Sequence, residues 1–523
     1  MKITLLQALT VTTSLVCFAP AVFAAQSNAP PANKDTTMTI GIGIVMDTMD
    51  PAQTTTTTVK NVLAYEVQPL VAYSQQGKTE PLLATSWAWS DHGDTLTLNL
   101  RKGVKFHDGT PFNAEAVKFT LGRLISGKVT VPDGIMFQNI KGIDVVNPYI
   151  VRLNLKRPEP DLLAKMGGIV SAIIAPSSVG KDGNTYENIQ HPIGTGPYEL
   201  ASRVRGSEIV FRRFDDYWGK LPYYGKVVFR IVPETNALEA GLRSGEINMI
   251  MNPPVTDLKA LESEGYKVLE APDDRSIYIV LVTNKPPFNN QKIRQAVNYA
   301  VNKEAIIKNV EFGAVDLSNS PFAPTITGYC KVGVYKYDPA KAKKLLAEAG
   351  AQHLSITMGT PRGRYTEDYQ AAQAIASFLR EAGIKVEVRT MDWASYISAT
   401  LSTHDPFNAF LIGWAPTALD PTEQMLFLNK EGWPPKGANG TFYADPQVEK
   451  LYAEAQREVD PTKRDALDCQ MQKDLWADAP WIYLWHQKLI LAYDSKIAGI
   501  SYTPNEMFVT TYAHPKSAEH AAK

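Results

Sequence analysis

Cysteine is scarce, with three in 523 residues at Cys17, Cys330 and Cys469. None belongs to a C-x-x-C pair and no His stands near Cys330 or Cys469 at ligand spacing, so a cysteine-based metal site is excluded. An excess of one charge is also missing. The chain carries 53 basic and 54 acidic residues, which gives no reason to expect nucleic acid as a partner. After the first residues no apolar run reaches about 18 residues, so no later stretch reads as a membrane-spanning helix. The usual hydrolytic signatures are absent too: there is no G-x-S-x-G elbow, no H-E-x-x-H helix and no P-loop. A secreted hydrolase would need a catalytic group assembled from distant residues, and stands as the remote alternative. No internal repeat is visible, and the run Thr54–Thr58 is too short to count as low complexity.

What is present begins with an export pattern. Lys2 supplies a positive start, Leu5 to Phe18 is largely apolar but short for a span, and Val22-Phe23-Ala24 places small residues at a cleavage site after Ala24. Val16 precedes Cys17 where lipidation asks for Gly, Ala or Ser, so an exported protein without a lipid anchor is expected. Removing Lys2 with this leader leaves a net charge of −2. Residues 25–37, rich in Pro, Asn and Ala, read as a flexible leader. Cys330 and Cys469 then enter an oxidising compartment that permits a disulfide. Their spacing neither demands nor forbids one.

The mature chain opens with an alternating strand, Met38 to Val45. A Trp-bearing strand at Ser86–Ser90 turns at Asp91–Asp94 into a second strand. There Leu96, Leu98 and Leu100 alternate with polar residues, the period of a half-buried strand. Asp108-Gly109-Thr110-Pro111 makes a tight turn, and Asn113 caps a helix beginning at Ala114. Another strand covers Ile150–Leu155. From about Asn284 helices alternate with strands. Helices are expected at Gln291–Val301, Lys303–Phe312, from Asp338-Pro339 to Gly350, Thr366–Ala382 and Trp393–Leu401. Strands are expected at Leu354–Met358, Ile384–Arg389 and Ala409–Trp414. This alternation indicates a layered α/β lobe.

The order LRKGVKFHDGTPFNAEAV, Leu100 to Val117, closely resembles the signature of the extracellular solute-binding proteins of peptide- and nickel-type ABC importers, departing at Ala116 where an acid is usual. Ile193–Tyr198 (IGTGPY) and Phe211–Gly219 (FRRFDDYWG) resemble the same family. The resemblance implies an α/β, two-lobed periplasmic-binding-protein fold of type II with an extra strand-rich subdomain in the first lobe. It places lobe I at 38–60, 190–284 and 487–523, the subdomain at 61–189 and lobe II at 285–486. It further implies a periplasmic receptor, acting as a monomer without cofactor, that binds a small-molecule or peptide ligand and delivers it to an inner-membrane ABC permease.

Ligands of open α/β sheets bind beyond the carboxyl ends of strands. Three such ends are candidates to line one cleft: Met46, Asp47 and Thr48; the loop 359–364 with Arg362; and Trp414, Ala415 and Thr417. A guanidinium can grip a carboxylate by two parallel hydrogen bonds. Residues 358–384 resemble the matching stretch of dipeptide-binding proteins, and Arg362 falls on the Arg that holds the peptide carboxylate there. The competing reading is a solvated loop Arg, with Arg364 equally available. Trp414 is expected to wall the ligand. Thr417 stands where dipeptide binders place an acid against the ligand ammonium. A simple dipeptide is therefore expected to bind poorly unless another acid, such as Asp47 or Asp420, reaches in. Asp420 itself reads as a helix cap before Pro421. Glutathione-binding members are similar around Trp433-Pro434-Pro435, Phe442-Tyr443 and Pro480-Trp481-Ile482, and also lack that acid. A dipeptide, an oligopeptide, a glutathione-like peptide or another carboxylated solute fits these observations. A nickel chelate or an opine is the alternative, with His404 or His486 as contacts, although a structural role for His486 is favoured.

Overall fold

The computed structural model describes residues 33–521 apart from 47, 55, 132–133, 392, 403–405, 417 and 435–438. The cleavage site, Asp47, His404 and Thr417 therefore lie outside the described residues.

Local chemistry shapes the elements as their patterns suggest. In the strand Thr95–Leu100, Leu96, Leu98 and Leu100 are buried while their neighbours are half-exposed. Each such leucine contributes roughly 1.5–3 kcal/mol by leaving water. The helix Ala114–Ile125 starts where the Asn113 side chain accepts from the N–H groups of Glu115 and Ala116, at 3.0 and 3.2 Å. Asp338 caps Pro339–Glu348 in the same way, accepting from Lys341 N. The strand Thr95–Leu100 and the helix Ala114–Ile125 belong to a module whose antiparallel sheet runs Ala84–Trp89, Thr95–Leu100, Ile150–Leu155, Ile140–Asn147. It has its own core around Leu96, Leu98, Leu121 and Val151.

The chain leaves that module through Gly194-Thr195-Gly196. A Cβ on Gly194 would stand 1.8 Å from the Glu66 carbonyl oxygen, so only glycine allows this close backbone passage. The following strands, Tyr198–Val204, Glu208–Arg213 and Tyr224–Ile231, lead back to the opening strand.

That opening strand runs Asn33–Ile42, starting ahead of Met38 and taking in residues assigned above to the leader. The reason is pairing: Asn33 N–H donates to Tyr223 O at 2.9 Å, and the segment runs parallel to Tyr224–Ile231.

Two long strands, Tyr266–Leu281 and Trp481–Asp494, pair antiparallel and cross from one lobe to the other. At one end Leu491–Tyr493 pair with Met249–Met251, which joins the opening strand. At the other end Ser276–Leu281 pair with Ala409–Trp414. Beyond it lie the parallel strands Ser355–Thr360 and Lys385–Thr390. Core membership changes along both crossing strands. Ala271, Leu489 and Leu491 belong to the first lobe's core, whereas Ile277, Ile279, Trp481 and Trp485 belong to the second's. The first crossing thus precedes Asn284, because the strand enters the second lobe before its first helix begins.

Cys330 and Cys469 form a disulfide that ties a loop of the second lobe to the helix Pro461–Asp478. Gln472 braces the junction, accepting from Cys330 N at 3.0 Å and donating to Gly328 O at 2.7 Å.

Candidate ligand-binding cleft

A cleft of about 750 Å3, open to solvent, lies between the lobes beside the crossing strands. Ile44, just past the opening strand, and Thr57, at the start of the helix Thr57–Leu63, line it from the first lobe. Arg364, Tyr365 and Thr366 line it from the second, and Asp273, Arg275 and Lys488 come from the crossing strands.

The floor is held by an ion pair. Arg275 Nε and NH2 donate to the two Glu506 carboxylate oxygens, each at 2.6 Å. The same guanidinium reaches Gly413 O and Thr57 Oγ1, both at 3.4 Å, so one side chain joins a crossing strand to both lobes. Burial alone would lower the Arg275 pKa, and the Glu506 charge more than reverses it. Burial raises the Glu506 pKa, and Arg275 brings it below the ordinary carboxyl value. Asp273, Asp274 and Glu506 present oxygens within 4.8 Å of one another, a spacing a metal ion would accept. Arg275 already supplies positive charge to this group.

Arg364 sits on a loop fixed from below. The Asp368 carboxylate accepts the N–H groups of Gly363, Arg364 and Tyr365 at 2.8–3.0 Å. The guanidinium lies 5.0 Å from the Tyr365 ring centre and 5.1 Å from that of Trp393. Burial holds its pKa below the usual arginine range. Among the described residues it has no hydrogen bond or ion pair.

None of Met46, Thr48, Arg362, Trp414 and Ala415 lines this cleft. Met46 is in the first lobe's core, and Thr48 is buried, its hydroxyl accepting from Asp50 N at 3.0 Å. Arg362 is exposed, with its guanidinium 4.8 Å from the Tyr369 ring centre. Trp414 is half-buried, its ring 4.2 Å from Phe427. Asp420 is buried ahead of the helix Pro421–Met425. His486 is buried on the second crossing strand, its Nδ1 2.9 Å from Ser276 Oγ, and burial pulls its pKa down to about 4. His107 holds the signature turn: its N–H donates to Gly194 O, and its Nε2 lies 3.0 Å from Gly196 O. The sequence reading passed over Asp273, Arg275 and Glu506. Asp273-Asp274-Arg275 at the head of the apolar run Ile277–Val282 was the available signal for the first two.

A two-lobed α/β body, joined by crossing strands around a charged cleft, defines the class of receptors that hold a solute between two lobes. Residues 78–434 match the bacterial extracellular solute-binding proteins, family 5 Middle. The glutathione-binding protein GsiB of Pectobacterium atrosepticum is 31% identical over 476 residues, covering 90% of this chain and 92% of that protein. GsiB of Shigella dysenteriae serotype 1 is 30% identical over 481 residues, with the same coverage. Among solved structures, the periplasmic binding protein DppA of Helicobacter pylori in complex with the peptide STSA superposes with a TM-score of 0.81 at 27% identity, covering 94% of this chain and 99% of that one. The dipeptide-binding protein of Pseudoalteromonas sp. SM9913 in complex with Met-Leu also gives 0.81, at 25% identity, covering 92% and 100%. The chain belongs to the family 5 bacterial extracellular solute-binding proteins. It is a periplasmic solute-binding protein of an ABC importer, partnered by a membrane permease, with a fold that binds its solute and does not transform it.

Proposed function

We propose that this receptor captures a peptide-like carboxylated solute and that Arg364 grips the carboxylate. The observation that carries the reading is the Arg364 guanidinium, held inside the inter-lobe cleft beside two aromatic rings and, among the described residues, without a hydrogen-bonded or ion-paired anion, although the Glu506 and Asp368 charges act on it from further away. A half-buried cation of this kind gains most from a planar, bidentate anion. The similarity to glutathione-binding proteins and to structures holding peptides supports the same solute class. Both lobes border the cleft, so a ligand touching both favours the closed form, the state a permease can distinguish from the empty receptor.

Calorimetry with glutathione, di- to tetrapeptides and their carboxyl-esterified forms tests the proposal. Esterification should weaken binding at least about tenfold, and Arg364→Ala should do the same for the free acids, since losing one partner of a desolvated charge pair costs on the order of 2–5 kcal/mol. Arg364→Lys should restore part of the affinity, because lysine lacks the fork. Esters that bind as tightly as acids would sink this reading. Arg362→Ala, on the exposed neighbour, is the internal comparison and should change affinity little.

A further inference from the structure

A second cavity, of about 290 Å3, lies where the strand-rich module meets the second lobe. Pro160 and Asp161 line it from the module, and Asp420, Tyr452, Arg464 and Asp468 line it from the second lobe. Beside it Arg157 of the module donates across the gap to Gln456 Oε1 at 2.9 Å. On the module's side Lys165 is buried, with its ammonium 2.5 Å from Glu159 and 2.7 Å from Asp161, and the Asp420 charge acts on it from the other wall. On the lobe's side Asp468 is 3% exposed. Among the described residues its carboxylate has no hydrogen-bonded or ion-paired partner, although the Arg464 charge acts on it. Gly328 covers it from within the lobe, where a Cβ would stand 2.5 Å from Asp468 Oδ2. The disulfide at the neighbouring Cys469 and the Gln472 brace fix that side of the cavity. Burial first, then the Asp420 charge, push the Asp468 pKa up to about 8; Arg464 opposes them, and Asp465 and Asp161 add to them.

The walls of this cavity belong to two bodies joined by the crossing strands, so a hinge movement at those strands parts Pro160 and Asp161 from Asp420 and Asp468. Closure gathers three acids, Asp161, Asp420 and Asp468, around one cavity. Of the two cations beside them, Lys165 is already shared between Glu159 and Asp161, which leaves Arg464. The acid without a bonded cation is the one that loses its charge most readily. We propose that this contact is a proton-dependent latch on lobe closure, in which Asp468 takes up a proton from solvent as the module closes over it and returns the proton when the lobes part. The latch goes beyond the choice of solute and does not depend on Arg364. Its sign is set by what opening removes. In the open form Asp468 loses the cover of the module and the Asp161 charge, and moves back towards the ordinary carboxyl range. Between that range and about pH 8 the open form is ionised while the closed form keeps its proton, so closure weakens by up to about tenfold per pH unit and levels off above 8. Acid therefore holds the lobes together.

Small-angle X-ray scattering of the ligand-free mature protein, from about pH 5 to about pH 9, reads the ratio of closed to open molecules. In the wild type that ratio should fall at least about tenfold between pH 6 and pH 8. Asp468→Asn removes the titrating group and should hold the ratio within about twofold over the same range. Two further variants should move the pH at which the dependence levels off, in opposite directions. Asp420→Asn removes a charge that raises the Asp468 pKa and should shift it lower, whereas Arg464→Gln removes one that lowers it and should shift it higher. A role in packing alone would produce neither shift. A wild-type ratio that does not change with pH, or an Asp468→Asn protein that keeps the full change, would overturn the latch. If Asp468→Asn does not fold, the other two variants decide, and shifts that are absent or share one direction overturn it. No solute is present in this experiment, so its failure leaves the carboxylate reading of Arg364 untouched.

Discussion

Arg275→Ala should be among the most damaging single substitutions in this protein. The change removes two 2.6 Å charge-assisted hydrogen bonds and leaves the Glu506 carboxylate buried. It also withdraws a cation from a place where Asp273, Asp274 and Glu506 oxygens lie within 4.8 Å. Two unit charges at that distance repel by about 3 kcal/mol at an effective dielectric of 20. Protonation of Asp273, whose pKa is already held high, relieves part of that. Breaking a buried pair by removing one partner costs about 3–5 kcal/mol, and that is the loss expected here. The double replacement Arg275→Met with Glu506→Leu removes both charges and should recover most of it. Chemical denaturation of the ligand-free protein measures both variants. The sign with pH is fixed as well. The folded Glu506 pKa lies below its unfolded value, so the pair's stabilisation is present above the unfolded carboxyl pKa and lost as pH falls through the folded one. The gap between wild type and Arg275→Ala should therefore narrow in acid. A single-mutant loss under about 1 kcal/mol at neutral pH, or a double mutant worse than the single, would refute the reasoning.

Two further outcomes concern stability away from the cleft. Glu311 is fully buried, neither carboxyl oxygen has a hydrogen-bond partner among the described residues, and burial pushes its pKa up to about 8. A raised carboxyl pKa costs stability as pH climbs from the ordinary value towards 8, so Glu311→Gln should stabilise by more than about 1 kcal/mol at pH 8 and change little near pH 4. Equal effects at both values in thermal melts would count against that assignment. The disulfide closes a loop of 139 residues, and replacing both cysteines by serine should cost about 2–4 kcal/mol. Thiol labelling of the exported protein should find Cys330 and Cys469 blocked until reductant is added.

The local grammar of this fold was legible in the chain. The alternation of Leu96, Leu98 and Leu100, the cap at Asn113, the Asp338-Pro339 helix start and the strand Ala409–Trp414 depend on neighbours a few residues apart. Family motifs between Leu100 and Gly219 carried the architecture with them. The cleft was not legible in the same way. Glu506 meets Arg275 across 231 positions, a distance at which sequence spacing carries no information. Arg362 and Arg364 are chemically equivalent in sequence, two residues apart on one loop. Asp368 pins the backbone of Gly363 to Tyr365, and the Tyr365 and Trp393 rings then hold Arg364 within the cleft while Arg362 remains over Tyr369. Short-range order follows from steric and hydrogen-bonding rules that act on consecutive residues. Which charges meet in the cleft depends on which distant segments the two crossing strands bring together, and only the tertiary structure decides that.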